Sequence, residues 1–230
     1  MSLYLWVILS AFVGPLVLSF DKKVHFYTYW KSIFLGIIIV ASVFIAGDEL
    51  FTQWKVWGFN PDYVLGIYLG NLPIEEVLFF IIVPYNCLFI HEVQKAYFPN
   101  LRLEKLSNYF LPLFGLISLL LIILNWGNYY TVTYCTTSLL LSIVFFFKKT
   151  SWFPRFVLTY LISILPFLIV NGILTGMFTP TPIVWYNEAH IIGWRIVTIP
   201  IEDLFYNFSM LLPVIWIHES LVKKQLLVRK

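Results

Sequence analysis

The sequence predicts an all-α integral membrane protein with seven transmembrane helices. Of its 230 residues, 60% are hydrophobic and only 12% are charged, against roughly 25% charged in ordinary globular chains. A helix needs about 20 mostly apolar residues to cross a bilayer, and lipid offers no hydrogen-bond partner to a strand edge. Stretches of that kind lie near residues 3–20, 30–47, 73–91, 108–125, 128–147, 155–175 and 196–217.

The basic residues predict how the chain is oriented. Lys55 and Arg195 stand apart from the other lysines and arginines, which fall in every second loop and in the carboxyl terminus. Because basic loops stay on the cytoplasmic side, we expect a multi-pass cell-membrane protein with its amino terminus outside and its carboxyl terminus in the cytoplasm. The residues in the basic loops and terminus are Lys22, Lys23, Lys31, Lys95, Arg102, Lys105, Lys148, Lys149, Arg155, Lys223, Lys224, Arg229 and Lys230.

Charge and cysteine content exclude some classes of site. The net charge is only +3, and no basic run has the interleaved polar surface of a nucleic-acid groove, so no nucleic-acid partner is expected. Cys87 and Cys135 lie in different apolar segments, which indicates neither a disulfide nor a metal site.

An internal repeat relates the two halves of the chain. A shift of 127 positions aligns NPDYVLGIYLGNLPIEEVLFF, from Asn60, with NEAHIIGWRIVTIPIEDLFYN, from Asn187. The displacement is four crossings, an even number, so both copies face the same way. The prediction is two parallel three-helix repeats, residues 1–107 and 128–230, joined by a connecting transmembrane helix at 108–127.

Four acidic residues at the starts of the third and seventh spans are the candidate catalytic groups. They are Glu75 and Glu76, after Pro73, and Glu202 and Asp203, after Pro200. A carboxylate at membrane depth costs on the order of 2.5 to 3.5 kcal/mol, so such residues usually face a cavity. Like carboxylates that meet in a dry cavity cannot both ionise easily, and at least one keeps its proton near neutrality. Neighbours point about 100° apart on a helix, so one of each pair should face inward.

Further residues are weaker candidates for binding a substrate. Asn207 follows Asp203 by one turn, where its amide could orient the acid. Asp48 and Glu49 end the second span, where capping or solvation of the helix end is expected and substrate binding is a secondary hypothesis. The aromatic candidates, which could line a cavity and stabilise a cation, are Phe79, Phe80, Phe205 and Tyr206.

Two His–Glu pairs follow at the other ends of these spans. His91 and Glu92 align with His218 and Glu219 under the same shift. We expect them to be interfacial pairs that extend toward the headgroups, without a catalytic role.

The repeated Pro-x-acid-acid motif resembles that of the membrane-embedded, flavin-independent lycopene β-cyclase family. The carriers are PIEEVLFF from Pro73 and PIEDLFYN from Pro200, within three-span modules that cover nearly the whole chain and match the fused form of two subunits. The resemblance implies an isomerase that closes the linear ends of lycopene to β-ionone rings, giving γ-carotene and then β-carotene. It implies no cofactor and no metal, with lycopene and related linear carotenoids as substrates and possible association with other carotenoid enzymes. Asp203 departs from the usual second Glu.

Other membrane proteins could use buried acids. A retinal-binding protein is excluded because residues 196–217 contain no lysine for a Schiff base. An intramembrane prenyltransferase, a proton-coupled transporter and a carotenoid-binding protein remain as alternatives. A substrate that dissolves only in lipid would need a lateral entrance between helices.

Overall fold

The computed structural model describes residues 2–101 and 103–228, with side chains described as far as residue 224. Arg102, Arg229 and Lys230, which the orientation argument used, lie outside the described residues. The described chain forms seven α-helices, which confirms the all-α class. They are α1 Leu3–Leu18, α2 Trp30–Gln53, α3 Ile74–Tyr97, α4 Glu104–Leu124, α5 Tyr129–Lys148, α6 Phe153–Leu174 and α7 Glu202–Val228.

Five of these helices, α2 to α6, are long and apolar enough to cross a membrane. The helix α1 is also apolar but has 16 residues, fewer than the roughly 20 that cross a bilayer at right angles. The helix α7 has 27 residues and begins with two acidic ones. Length and composition therefore indicate a membrane protein.

Several helix boundaries differ from the predicted spans, among them the ends of α3, at Tyr97 rather than near 91, and of α7, at Val228 rather than near 217. The helix α2 continues to Gln53, beyond the predicted end at residue 47, so Asp48 lies inside it. The helix α7 begins at Glu202 rather than near 196, because the preceding residues form a hairpin. The helix α4 begins at Glu104, inside the segment assigned to the first repeat.

Six short strands lie in the two long loops, α2–α3 and α6–α7. One antiparallel pair joins the loops to each other, with Trp57 opposite Tyr186 and Phe59 opposite Val184. The other two pairs are local hairpins that lead directly into α3 and α7. The strands are β1 Trp57–Phe59, β2 Tyr68–Leu69, β3 Leu72–Pro73, β4 Val184–Tyr186, β5 Arg195–Ile196 and β6 Ile199–Pro200.

Many backbone contacts occur twice, at positions 127 residues apart. In the hairpins, Tyr68 pairs with Pro73 and Arg195 pairs with Pro200. The same shift relates two hydrogen bonds between the loops, in which donor and acceptor come from opposite loops. The Asn60 amide donates to the Ile183 carbonyl at 2.8 Å, and the Asn187 amide donates to the Val56 carbonyl at 2.9 Å.

The helix packing repeats under the same shift, which maps α1, α2 and α3 onto α5, α6 and α7. The helix α2 packs on α7 and α3 packs on α6, while α1 packs on α3 and α5 on α7. The helix α4 lies mainly against α5. The core between them is strongly aromatic, with Phe44, Phe80 and Tyr206 among its members. This packing brings the first turns of α3 and α7 together beneath the paired loops.

Candidate active site

Three buried carboxylates line one small cavity below the loops. Glu76 and Asp203 lie in the first turns of α3 and α7, and Asp48 lies near the end of α2. Their exposed fractions are 7%, 2% and 2%. All three line a cavity of about 40 Å³, which is room for only a few water molecules.

Glu76 faces the amino-terminal turn of α1. Its Oε2 accepts a hydrogen bond of 2.5 Å from the hydroxyl of Tyr4, which is itself fully buried. A hydroxyl donor to a buried carboxyl group fixes the orientation of that group. Glu76 thus has one donor and a position on the cavity wall.

Asp203 has three donors from three different elements. Tyr130 on α5 donates to Oδ1 at 2.6 Å, Asn171 on α6 donates to Oδ2 at 3.2 Å, and Tyr186 on β4 lies 3.1 and 3.3 Å from the two oxygens. Withdrawal from water, with the charge of Asp203 nearby, holds the pKa of Tyr186 well above its usual range. The Tyr186 hydroxyl therefore remains a donor near neutral pH.

Contrary to the expectation from the sequence, Asp48 does not cap or solvate a helix end. Because α2 continues past it by more than a turn, its side chain faces inward and is buried. The hydroxyl of Tyr206 on α7 donates to its two oxygens at 3.3 and 3.4 Å. The position in the cavity makes Asp48 a third candidate acid.

Glu49, the next residue, points the other way. Its carboxylate accepts from the backbone amide of Asn71 at 2.8 Å and from the Asn71 side chain at 2.6 Å. It holds the tip of the β2–β3 hairpin and does not line the cavity.

Glu75 and Glu202 are buried but hold loops rather than line the cavity. Oε1 of Glu75 accepts from the Leu65 amide at 2.7 Å, and Oε1 of Glu202 accepts from the Ile192 amide at 2.6 Å. Glu202 also accepts from the Thr131 hydroxyl at 2.7 Å. Each acidic pair therefore places its second member, Glu76 or Asp203, in the cavity.

Aromatic side chains form most of the remaining wall. Of the predicted aromatic candidates, Phe79 and Tyr206 line the cavity. Phe80 packs instead in the core, 6.1 Å from Phe44 between ring centroids, and Phe205 stacks on Phe114 at 4.8 Å. The other aromatic residues of the wall are Tyr4, Trp57, Phe59, Tyr130 and Tyr186.

Asn207 does not orient Asp203 as predicted. Its side-chain nitrogen and oxygen have no hydrogen-bond partner among the described residues, and Asn171 provides the amide donor instead. Tyr4 and Tyr130 were not predicted as site residues from the sequence. A signal was available, since α1, α3, α5 and α7 all begin on one side in an alternating topology, which places their first turns at one level.

The histidine pairs form a second buried cluster at the opposite ends of α3 and α7. His91 Nε2 lies 3.0 Å from Glu219, and His218 Nε2 lies 2.9 Å from Glu92. Both imidazoles are buried between the helices, so they do not extend toward the headgroups as predicted. The reason is that each histidine meets the glutamate of the other helix.

The ammonium group of Lys95 already provides a positive charge in this cluster. His91, Glu92 and Glu219 are close enough together to suit a metal ion. However, the ammonium group of Lys95 lies 2.7 Å from Glu92 and 2.9 Å from Glu219. Lys95 therefore bridges the two carboxylates, and a metal ion would have to displace it.

The helices and the shielded acids define an all-helical membrane protein with a candidate site for proton chemistry. A family model described as lycopene cyclase matches residues 1–94 and 127–221, well over half of the sequence. The chain belongs to the lycopene cyclase family.

One relative gives a local match. A bifunctional lycopene cyclase/phytoene synthase of Aspergillus oryzae (strain ATCC 42149 / RIB 40) is 34% identical over 62 residues, which is 27% of this chain and 11% of that protein. The match therefore spans about a tenth of the relative's length. No solved structure matches the chain significantly.

Proposed function

We propose that the protein is a lycopene β-cyclase that closes the linear ends of lycopene by acid–base catalysis, without flavin or metal. The observation that carries this proposal is the meeting of Glu76, Asp203 and Asp48 in one aromatic-walled cavity. Three carboxyl groups in a site of this size cannot all be ionised, so a proton is held there. Membership of the lycopene cyclase family supports the choice of substrate.

The hydrogen bonds suggest which acid gives the proton and which takes one. An ionised carboxylate is stabilised by several donors, and Asp203 has three. Glu76 has the single donor Tyr4. We therefore assign Glu76 as the proton donor and Asp203 as the base, with Asp48 as the fixed neighbouring carboxyl group.

The proposed reaction balances without an oxidant or reductant. The terminal double bond takes a proton from Glu76, which leaves a tertiary cation. The next double bond of the polyene end attacks this cation, so the ring bond forms and the charge moves to a ring carbon. Asp203 removes a proton from the adjacent ring carbon, which creates the ring double bond.

The cavity wall suits a cationic intermediate. Faces of Trp57, Phe79 and Tyr206 can stabilise a positive charge by ~0.5 to 2 kcal/mol each. The paired loops close the site from above, which limits capture of the cation by water. Since the cavity has room for only a few water molecules, side chains or helices must move to admit the end of the substrate.

The proposal includes the membrane arrangement. We infer seven crossings with the amino terminus outside, and two three-helix repeats, predicted at residues 1–107 and 128–230. Since α4 begins at Glu104, we place the end of the first repeat just before that residue. The backbone contacts that occur twice, at positions related by a shift of 127 residues, support the repeat. The two ranges matched by the family model, 1–94 and 127–221, lie on either side of α4 and support the same division.

The test is expression in a host that accumulates lycopene, with pigments separated by chromatography. We expect β-carotene from the unmodified protein, and a loss of at least about 100-fold in Glu76→Gln and Asp203→Asn. Unconverted lycopene with verified expression of the unmodified protein would contradict the proposed function.

Glu202→Gln is the matched control for these variants. It changes a buried acid next to Asp203 that holds a loop but does not line the cavity. We expect it to keep substantial conversion at normal protein level. Full activity of Glu76→Gln and Asp203→Asn, with loss in Glu202→Gln, would reverse the assignment of the site.

A further inference from the structure

A large apolar groove lies beside the acid cavity, between α1, α3 and α6. Its volume is about 450 Å³, and its rim is open, since Ile169 is 56% exposed. Among the polar residues on its wall, Ser10 donates to the Val7 carbonyl at 2.8 Å and the Asn86 amide nitrogen donates to the Ala11 carbonyl at 3.0 Å. The Asn86 side-chain oxygen and the Ser163 hydroxyl have no hydrogen-bond partner among the described residues, and the rest of the lining is almost entirely apolar. The groove surface is therefore mostly hydrocarbon.

The groove adjoins the acid cavity. Asn171, which donates to Asp203, lines both spaces. On α1 and α3 the two linings are one turn apart, since Tyr4 and Phe79 line the cavity while Val7 and Val83 line the groove. A molecule in the groove thus has its inner end separated from the acids by only a few side chains.

The corresponding position in the second repeat is closed. A shift of 127 residues maps the groove onto α5, α7 and α2. There the Ser138 hydroxyl lies 3.1 Å from the Phe205 carbonyl and 3.0 Å from the Ser209 hydroxyl, which ties α5 to α7. A Cβ on Gly36 would lie 3.2 Å from the Val214 carbonyl, so α2 and α7 are in close contact. The groove beside the acids therefore lies on one side only.

We propose that this groove holds the polyene chain of the substrate while one end reacts at Glu76 and Asp203. The inference rests on the proposed function and extends it, because a one-sided groove admits one end of a linear carotenoid at a time. The second end must then react in a separate binding event, after the half-cyclised product has left the groove.

Bulky side chains at Ala11 test this proposal. Ala11 lines the groove on α1, is half-buried, and does not line the acid cavity. We expect Ala11→Trp to lower the rate of lycopene conversion by about tenfold or more, with a smaller loss for Ala11→Leu, because each fills part of the groove. The matched control is Ile143→Trp, in the separate groove between α4 and α5, which should leave the rate unchanged.

A binding measurement separates the groove from the chemistry. The full chain carrying Glu76→Gln is purified from lycopene-accumulating cells, and its bound pigment is measured by absorbance, with and without Ala11→Trp or Ile143→Trp. We expect Ala11→Trp to reduce the bound lycopene severalfold and Ile143→Trp to retain it.

The outcomes distinguish this proposal from the proposed function. Normal conversion and normal bound pigment in Ala11→Trp would overturn the groove and leave the cyclase function intact. Without any conversion by the unmodified protein the cyclase function fails, and the pigment measurement alone decides the groove. Equal loss in Ala11→Trp and Ile143→Trp would also overturn it, because general bulk on the helix surface would then explain the effect.

Discussion

The carboxyl groups show how local surroundings separate residues of the same type. Glu75 and Glu76 are adjacent, yet Glu75 accepts a loop amide and Glu76 lines the cavity beside Tyr4. The sequence predicts that one of each acidic pair faces inward, because the angle between neighbours on a helix is fixed. It does not predict which one, because that choice depends on how α3 packs against α1.

At the residue scale, Asp48→Asn tests the third carboxyl group. We expect conversion to fall by about tenfold to 100-fold, because the variant removes a buried carboxyl group next to the proposed donor and base. The measurement is the initial rate of pigment conversion at matched protein level. Glu49→Gln is the control, since Glu49 holds Asn71 outside the cavity. Equal rates for the two variants would show that Asp48 has no special role.

At the scale of elements, hydrophobic length predicted all seven helices but not the hairpins. The strands at 68–69 and 72–73 have two residues each, too few for a periodic signal. The start of α7 was misplaced for the same reason, since its hairpin is apolar enough to resemble the start of a span. The end of α2 was placed too early because polar residues appear before the helix ends.

The hairpin loops depend on glycines in the left-handed region. Gly66 has φ of +78°, and no neighbouring atom would meet an added Cβ. Gly66→Ala should therefore lower the free energy of unfolding by ~1 kcal/mol through backbone strain alone. Gly127→Ala is the control, because Gly127 has equally open surroundings and no such φ. Thermal unfolding in detergent compares them, and equal midpoints would contradict the strain.

The two pairs between α3 and α7, His91 with Glu219 and His218 with Glu92, should stabilise the packing of these helices. Glu92→Leu leaves the buried His218 without a carboxylate partner and Lys95 with Glu219 alone, so we expect a loss of ~3 kcal/mol or more of folding free energy. Adding His218→Phe should restore part of this loss, because the buried imidazole is then no longer unpaired. Thermal unfolding measures both, with the exposed Glu104→Gln as the control. An unchanged midpoint in Glu92→Leu would show that the pairs contribute nothing to stability.

For the whole molecule, the sequence predicted the class and the position of the acids along the chain. The internal repeat at a shift of 127 residues located both motifs. Asp203 in place of a second Glu already indicates unequal halves, but the sequence does not predict which side chains surround each acid. Glu76 accepts a hydrogen bond from Tyr4, whereas Asp203 accepts hydrogen bonds from Tyr130, Asn171 and Tyr186. These partners come from separate helices and loops, so only the folded chain brings them together.

The most direct test of proton transfer by the shielded acids is the mass of the product formed in heavy water. The purified protein in lipid vesicles is given unlabelled lycopene in D₂O. Because donor and base are different residues, the donor must be reloaded from solvent, and each ring should gain one deuterium. Rings formed without deuterium would contradict proton donation by a carboxyl group that exchanges with water.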